Sequence, residues 1–145
     1  MFQILLAEDN PGDVLLFREA LKNRRVPCEI IVAEDGQKAM TLLENAGGGE
    51  TGFCPHLIVL DINLPKYNGD AVLLHVRRKA ALNGVPVIVL TSSPSPADRA
   101  AALELGATLY LQKSSDLKQL LDIGRIVEDI LLHGPHAASG IAPAG

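Results

Sequence analysis

The sequence of 145 residues has no tryptophan, and aromatic residues make up only 3% of it. Proteins that bind single-stranded nucleic acids use aromatic side chains as stacking platforms, so the residues for that mode of binding are scarce here. An excess of basic residues is also missing, because the formal net charge is −4. The two short basic clusters fall near predicted helix ends, where cations favour the helix dipole. We therefore expect no nucleic-acid partner.

Long apolar runs and a cysteine framework are absent as well. No apolar stretch approaches the roughly 18 to 20 residues that cross a bilayer, and the N-terminus lacks the basic lead-in of a signal peptide. The two cysteines, Cys28 and Cys54, have no metal-ligand spacing. In a reducing compartment such thiols are most often unpaired. We expect a cytoplasmic protein that has no membrane partner.

The sequence does contain an alternation of short apolar runs with longer segments of helical period. This pattern predicts βαβ units and a parallel sheet within one domain. Strands are predicted over 2–7, 29–33, 57–60, 86–90 and 108–111, and helices over 12–24, 36–45, 70–81, 96–106 and 116–132. The glycine-rich segment 47–52 is predicted to be a surface loop and 134–145 a disordered tail. The first helix is predicted to bury five apolar side chains: Val14, Leu15, Phe17, Ala20 and Leu21.

Polar residues close four of the five apolar runs. Glu8 and Asp9 follow the first run, and Asp61 ends the third. Thr91 ends the fourth run and Lys113 follows the fifth. Because the carboxyl ends of parallel strands meet at one edge of a sheet, we expect these side chains to converge. Taken singly, each has an ordinary interpretation as a turn former, a helix cap or a solvated cation, and the ordered set is far more specific than its parts.

Carboxylates at this edge suit a hard divalent cation, because Mg²⁺ favours carboxylate and carbonyl oxygens. Asp9, Asp61 and one carbonyl after Asp61 would form such a site if the first and third strands are neighbours. A carboxylate beside Mg²⁺, a hydroxyl and a lysine can attack a phosphoryl donor and form an acyl phosphate. The cation, Thr91 and Lys113 would then hold the three equatorial oxygens of the phosphoryl group.

The ordered set resembles the receiver domain of bacterial two-component response regulators over about residues 2–132. Four motifs carry the resemblance: Leu5-Leu6-Ala7-Glu8-Asp9-Asn10, Leu60-Asp61-Ile62-Asn63-Leu64-Pro65, Leu90-Thr91-Ser92-Ser93 and Tyr110-Leu111-Gln112-Lys113. It implies a flavodoxin-like, doubly wound α/β fold, in which a five-stranded parallel sheet of order 2-1-3-4-5 has helices on both faces. It also implies a receiver domain over 1–133 followed by the tail.

The resemblance assigns a role to each of the site residues. Asp61 is the phosphoacceptor, and Thr91 and Lys113 contact the phosphoryl group. Tyr110, three residues before the lysine, is the switch aromatic that acts with Thr91. The cofactor implied is Mg²⁺, with Mn²⁺ as an alternative. Its ligands are three carboxylates and one main-chain carbonyl: Glu8, Asp9, Asp61 and Asn63.

Two further positions concern the lifetime of the phosphoryl group. Asn63 and Ser93 stand where the family modulates hydrolysis, and neither is charged, so we expect ordinary self-dephosphorylation. The family commonly follows its lysine with proline in a cis bond, whereas this chain has Ser114. A cis bond before serine would cost roughly 3 to 4 kcal/mol, so we expect a trans bond or a reshaped loop.

The partners implied are a sensor histidine kinase and a downstream protein or phosphotransfer partner. Segment 8–13, the glycine-rich loop and the long last helix are similar to stand-alone receivers that partner bacterial phytochrome-type kinases. Some of those regulators form homodimers through helix four, strand five and helix five, which here correspond to 97–105, Tyr110 and parts of 117–132.

Two other functions stay open. A phosphatase or dehalogenase with an aspartyl nucleophile would have a second acid two residues after it, where this chain has Asn63, and an inserted cap domain. A pseudo-receiver would keep the fold and never accept phosphate, but the intact Asp9, Asp61, Thr91 and Lys113 argue against it. We expect the protein to catalyse only its own phosphorylation and slow dephosphorylation, and therefore not to be an enzyme in the usual sense.

Overall fold

The computed structural model of the chain describes residues 1–22, 24–47, 53–113 and 116–135. Its centre is one parallel sheet of order β2-β1-β3-β4-β5. The strands are β1 (Phe2–Ala7), β2 (Cys28–Ala33), β3 (Leu57–Leu60), β4 (Val87–Thr91) and β5 (Leu109–Gln112). The predicted doubly wound, flavodoxin-like sheet and its strand order are confirmed.

Helices cover both faces of the sheet. They are α1 (Pro11–Lys22), α2 (Gly36–Glu44), α3 (Gly69–Arg78), α4 (Pro96–Glu104) and α5 (Leu117–His133). Helices α1 and α5 pack over one face through a buried apolar cluster that includes Phe17 and Val127. Helices α2, α3 and α4 cover the other face, where Leu43, Val72 and Ala102 belong to a second cluster.

Two details of the predicted helices are wrong. Leu15 is 59% exposed, because the buried stripe of α1 runs through Phe17, Ala20 and Leu21. A residue only two positions before Phe17 lies on nearly the opposite side of an α-helix. The helix predicted over 70–81 ends at Arg78, since Lys79 has an extended backbone, and a short 3₁₀ turn at Ala80–Leu82 follows.

Some predictions fall outside the described residues. Most of the predicted loop 47–52 and the tail from 136 onward belong to this group. Among the residues that are described, none of the helices combines the length and the apolar character of a bilayer-spanning segment.

The register of the central strands brings the predicted site together. Ala7 pairs with Leu60, and Leu60 pairs with Val89, so β1, β3 and β4 end side by side. The Asp61 N–H donates to the Ala7 carbonyl at 3.1 Å and continues the ladder by one residue. Glu8 and Asp61 therefore leave the sheet next to each other.

The loop after Asp61 lies tightly against its surroundings at two glycines. A Cβ atom on Gly69 would lie 2.5 Å from the Asp61 carbonyl oxygen, and one on Gly36 would lie 1.8 Å from the Tyr67 carbonyl oxygen. The Gly36 N–H donates to the Pro65 carbonyl at 3.1 Å. Both close approaches need a residue without a side chain, so these glycines fix the path of the β3–α3 loop.

The remaining acidic strand end has a structural role. Asp35 follows β2 and caps α2, because its carboxylate accepts a hydrogen bond from the Lys38 N–H at 2.7 Å. Lys66 adds an ion pair to Asp35 at 3.5 Å.

Candidate functional site

Three carboxylates meet at the carboxyl edge of the sheet, between β1 and β3. Oxygen atoms of Glu8, Asp9 and Asp61 lie within 4.8 Å of one another. Glu8 is 4% exposed and Asp61 is 6% exposed, whereas Asp9 faces solvent. This edge is the point where the strand order reverses, which is the usual binding crevice of an open α/β sheet.

The donor set fits a divalent metal ion. All three groups are carboxylates, which are the oxygen ligands that Mg²⁺ and similar hard cations require. Two of them are buried, and buried charges are costly unless they are paired or coordinate a metal. A cation at this position would be held by Glu8, Asp9 and Asp61.

Lys113 joins this cluster from the end of β5. Its ammonium nitrogen Nζ lies 2.5 Å from Glu8 Oε1 and 2.8 Å from Asp61 Oδ2. It also lies 2.8 Å from Asp13 Oδ2. The Lys113 main-chain N–H donates to the Thr91 carbonyl at 2.7 Å, which fixes the residue to the end of β4. The predicted convergence of Lys113 with the acids is therefore present in the geometry.

Asp13 is a site contact that the sequence analysis missed. It lies in the first turn of α1, where Asn10 Oδ1 accepts from the Gly12 N–H at 2.8 Å and from the Asp13 N–H at 3.2 Å. An acid in a first helical turn is ordinarily explained by the helix dipole, so it gives no signal of a distant partner. Its partner Lys113 lies 100 residues later.

Burial and ion pairing shift the pKa values of Lys113 and Glu8. Burial opposes the charge on Lys113, but hydrogen bonds to the three carboxylates outweigh it and raise the pKa of the ammonium above its ordinary value. Burial raises the pKa of Glu8 as well, against the opposing effects of Lys113 and of the Asn10 N–H. Lys113 therefore stays protonated at neutral pH, whereas the pKa of Glu8 remains above its ordinary value despite the adjacent ammonium.

The Asp61 carboxylate is held through both of its oxygens. Oδ1 accepts a hydrogen bond from the Asn63 N–H at 2.9 Å, and Oδ2 accepts one from Lys113. Asn63 itself is exposed. The main chain of Asn63 therefore reaches the site, while the role of its carbonyl as a metal ligand stays a prediction.

A chain of hydrogen bonds connects Thr91 to Tyr110 through the β4–α4 loop. Thr91 is fully buried, and its Oγ1 accepts from the Ser93 N–H at 3.3 Å. The Tyr110 hydroxyl donates to the Ser93 carbonyl at 3.4 Å. Burial raises the pKa of Tyr110, so the phenol keeps its proton and remains a donor.

The Ser93 side chain is committed to α4. Its hydroxyl donates to Asp98 Oδ2 at 2.6 Å and accepts from the Ser95 N–H at 3.2 Å. The loop between β4 and α4 is thus held by a serine whose hydroxyl is already bonded on both sides. The bond between Lys113 and Ser114 lies outside the described residues, so its geometry stays a prediction.

Comparison with known proteins agrees with this geometry. The family model of the response regulator receiver domain matches residues 4–125. The chain belongs to this family. It is 40% identical to response regulator Rcp1 of Synechocystis sp. over 129 residues, which cover 89% of this chain and 88% of Rcp1.

Two solved structures resemble this receiver closely. The phosphorylated cyanobacterial phytochrome response regulator RcpA has a TM-score of 0.80 and 37% identity, covering 91% of this chain and 94% of RcpA. The Mn²⁺-bound form of Rcp1 has a TM-score of 0.80 and 38% identity, covering 92% of this chain and 96% of Rcp1. The predicted resemblance to receivers, and to those associated with phytochromes, is confirmed.

Membership carries a coarse functional statement. Receivers are the signalling domains of two-component systems, interact with histidine kinases and bind a divalent metal. The cluster of Glu8, Asp9 and Asp61 matches that metal-binding property. The individual roles predicted for the site residues remain predictions.

Proposed function

We propose that this receiver accepts a phosphoryl group on Asp61 from a sensor histidine kinase, in a reaction that needs Mg²⁺ or Mn²⁺. The observation that carries the proposal is the buried Asp61 carboxylate, which lies 2.8 Å from the Lys113 ammonium and belongs to one cluster with Glu8 and Asp9. The phosphorylated protein then signals through contacts with a downstream protein or a phosphotransfer partner.

The transfer is a displacement at phosphorus. A carboxylate oxygen of Asp61 forms the new P–O bond, and the P–N bond to the kinase histidine breaks. The imidazole nitrogen keeps the electron pair of the broken bond, and the product on Asp61 is an acyl phosphate. The protonated Lys113 offsets negative charge on the phosphoryl oxygens, which is the main contribution that phosphoryl transfer needs from a protein.

A bound cation would neutralise further charge on the phosphoryl oxygens. Glu8, Asp9 and Asp61 supply the carboxylates that would hold it, and we assign the fourth protein ligand to the Asn63 carbonyl. Without positive charge the three acids repel one another, so occupation of the site also relieves that repulsion.

The same proposal gives Thr91 and Tyr110 the role of a switch. The Thr91 hydroxyl would contact the phosphoryl group, and the Ser93 carbonyl links the loop after Thr91 to the Tyr110 hydroxyl. A shift of that loop on phosphorylation would therefore move the Ser93 carbonyl, which accepts the hydrogen bond of the Tyr110 hydroxyl. Asn63 and Ser93 keep their proposed influence on the lifetime of the phosphoryl group.

The similarity to RcpA and Rcp1 supports a phytochrome-type kinase as the proposed partner. The cytoplasm stays the proposed compartment. Exposed Leu103 on α4 and Leu121 and Leu132 on α5 support a homodimer through α4, β5 and α5. The proposed domain limits stay at 1–133, with 134–145 as a tail.

The phosphoacceptor can be tested with a small donor. Incubation with acetyl phosphate and Mg²⁺ should add one phosphoryl group to the wild type, measured by intact mass, and excess EDTA should prevent the addition. Asp61→Asn should gain nothing. Asp35→Asn is a matched control, because Asp35 is also a buried acid at the end of a strand and should leave the gain intact.

The same measurement separates the alternatives. Steady turnover of the donor without a stable gain of mass would favour an aspartyl-nucleophile phosphatase. No reaction with acetyl phosphate or with a phosphorylated kinase would favour a pseudo-receiver. A gain that persists in Asp61→Asn would move the acceptor to another residue.

A further inference from the structure

Lys113 has used all of its hydrogen-bonding capacity. An ammonium group has three N–H donors, and three carboxylates, those of Glu8, Asp13 and Asp61, lie 2.5 to 2.8 Å from Nζ. With Asp9 included, four carboxylates and one ammonium carry a formal charge of −3 at this edge of the sheet. A divalent cation is attracted by that charge, but it competes with Lys113 for two of the same partners.

Asp13 differs from the other partners of Lys113 because it does not belong to the carboxylate cluster. The atoms that can hold a cation come from Glu8, Asp9 and Asp61, whereas Asp13 approaches Lys113 from α1. The Asn10 side chain fixes the first turn of α1 through the Asp13 N–H. The Asp13 carboxylate is therefore attached to a rigid element and has no share in the proposed metal site.

We propose that Asp13 is a positioning residue, which holds the Lys113 ammonium while a divalent cation draws Glu8 and Asp61 away from it. This inference rests on the proposed function, since it assumes that the cation binds at the carboxylate cluster. Without Asp13, the partners of Lys113 in the cluster would be groups that also ligate the cation. Each binding event would then strip a largely buried ammonium, whose side chain is 16% exposed, of its counter-charges.

With Asp13 present, one charge-assisted hydrogen bond of Lys113 survives the exchange. Such bonds are about twice as strong as neutral ones, and they fix the direction of the donor. The bond to Asp13 also keeps the ammonium at the same edge of the sheet as Asp61, where the proposed transfer requires it. Asp13 thus lowers the free-energy cost of cation binding and keeps the Lys113 ammonium in position to contact the phosphoryl group.

Isothermal titration calorimetry with Mg²⁺ tests the inference without measuring phosphorylation. Asp13→Asn should weaken Mg²⁺ binding on the order of tenfold, as is common for residues that orient metal-site groups. Asp13→Glu keeps the charge and should recover most of the affinity. Glu34→Gln is the charge-matched control, because Glu34 lines the same crevice as Glu8 and Asp9 and pairs with Lys38 instead. It should change the affinity by no more than about twofold.

The Lys113→Met background separates positioning from plain charge. With no ammonium to hold, Asp13→Asn should alter Mg²⁺ affinity by no more than about twofold. If Asp13→Asn lowers the Mg²⁺ affinity equally with and without Lys113, the inference is overturned. It is also overturned if Asp13→Asn leaves the Mg²⁺ affinity of the otherwise wild-type protein unchanged. A wild type that binds no Mg²⁺ would instead overturn the proposed metal site, and the inference with it. Thermal unfolding of each variant confirms that the titrated protein is folded.

Discussion

Asp61 and Ser93 illustrate how side chains near the site are already engaged by fixed groups. The Asn63 N–H donates to one oxygen of the Asp61 carboxylate, so a main-chain group orients the proposed nucleophile. The Ser93 hydroxyl is bonded to Asp98 and so faces α4. Of the two positions proposed to modulate hydrolysis, Asn63 therefore contacts Asp61 through its main chain, and Ser93 contacts α4 through its side chain.

Asn63→Ala and Ser93→Ala should both keep self-dephosphorylation within about tenfold of the wild-type rate. Neither side chain is an acid or a base, so neither supplies the rate enhancement of roughly a hundredfold or more that general acid–base catalysis contributes. The measurement is the decay of the phosphorylated fraction by intact mass after the donor is removed. Ser92→Ala serves as the control for Ser93, because Ser92 is the exposed neighbour. Complete loss of hydrolysis in either variant would contradict the expectation.

At the residue scale, the sequence predicts the groups that follow strands and misses those that come from elsewhere. Glu8, Asp61 and Lys113 are predictable because strand ends of a parallel sheet share one edge. Asp13 is not, because its contact with Lys113 depends on where α1 lies over the sheet, and no local pattern encodes that. The Ser93–Asp98 bond likewise depends on the path of the β4–α4 loop.

At the scale of elements, the capping residues account for much of what was predictable. Ser95 caps α4 with Pro96 at its first position, and Asp116 caps α5; these residue types are the ones that helix starts favour. The helix predicted over 96–106 ends at Glu104, and Gly106, with a φ of 101°, lies just beyond the C-cap Leu105. The ending of α3 was missed. Arg77 there donates to the carbonyls of Gly106, Asn83 and Val85, and these contacts depend on the loops that precede β4 and β5.

The contact between α1 and α5 depends on Gly124, to which helical periodicity gives no special weight. A Cβ atom at this position would lie 2.2 Å from the Ala20 carbonyl oxygen, so Gly124→Ala forces the two helices apart. We expect the free energy of unfolding to fall by about 1–3 kcal/mol, the usual cost of overpacking, despite the higher helix propensity of alanine. Urea denaturation measures the change.

The control for Gly124 is Gly84→Ala. Apart from its two chain neighbours, no described residue has a heavy atom within 4 Å of a Cβ atom at Gly84, so this change should leave the urea midpoint almost unchanged. Equal midpoints for Gly124→Ala and the wild type would show that α1 and α5 can separate at no cost. That result would also weaken the claim that α1 presents Asp13 from a rigid position.

At the scale of the whole molecule, composition and periodicity establish a parallel α/β domain, but they do not establish the order of its strands. The apolar runs of β1, β3 and β4 are nearly interchangeable in character, since all are buried on both faces. The order 2-1-3-4-5 came from the resemblance to a family. That order brings β1 and β3 together, and with them the carboxylates of the proposed metal site.

Global stability should therefore depend on Mg²⁺. A ligand that binds only the folded state stabilises it by about 2.7 kcal/mol when its concentration is a hundred times the dissociation constant. Urea denaturation in Mg²⁺ should show this gain relative to EDTA. A sodium salt at the same ionic strength should give much less, because it only screens the charges.

Asp9→Asn identifies the source of that gain. Asp9 is the exposed member of the cluster, so the substitution removes a proposed metal ligand and a repulsive charge without leaving a cavity. In EDTA this variant should be more stable than the wild type, because the formal charge at this edge of the sheet falls from −3 to −2 and the carboxylates repel one another less. Mg²⁺ should add little to the stability of Asp9→Asn, so the difference in stability between the two proteins should become smaller or change sign. An equal Mg²⁺-dependent gain in Asp9→Asn and the wild type would assign the stabilisation to other surface charges rather than to the edge between β1 and β3.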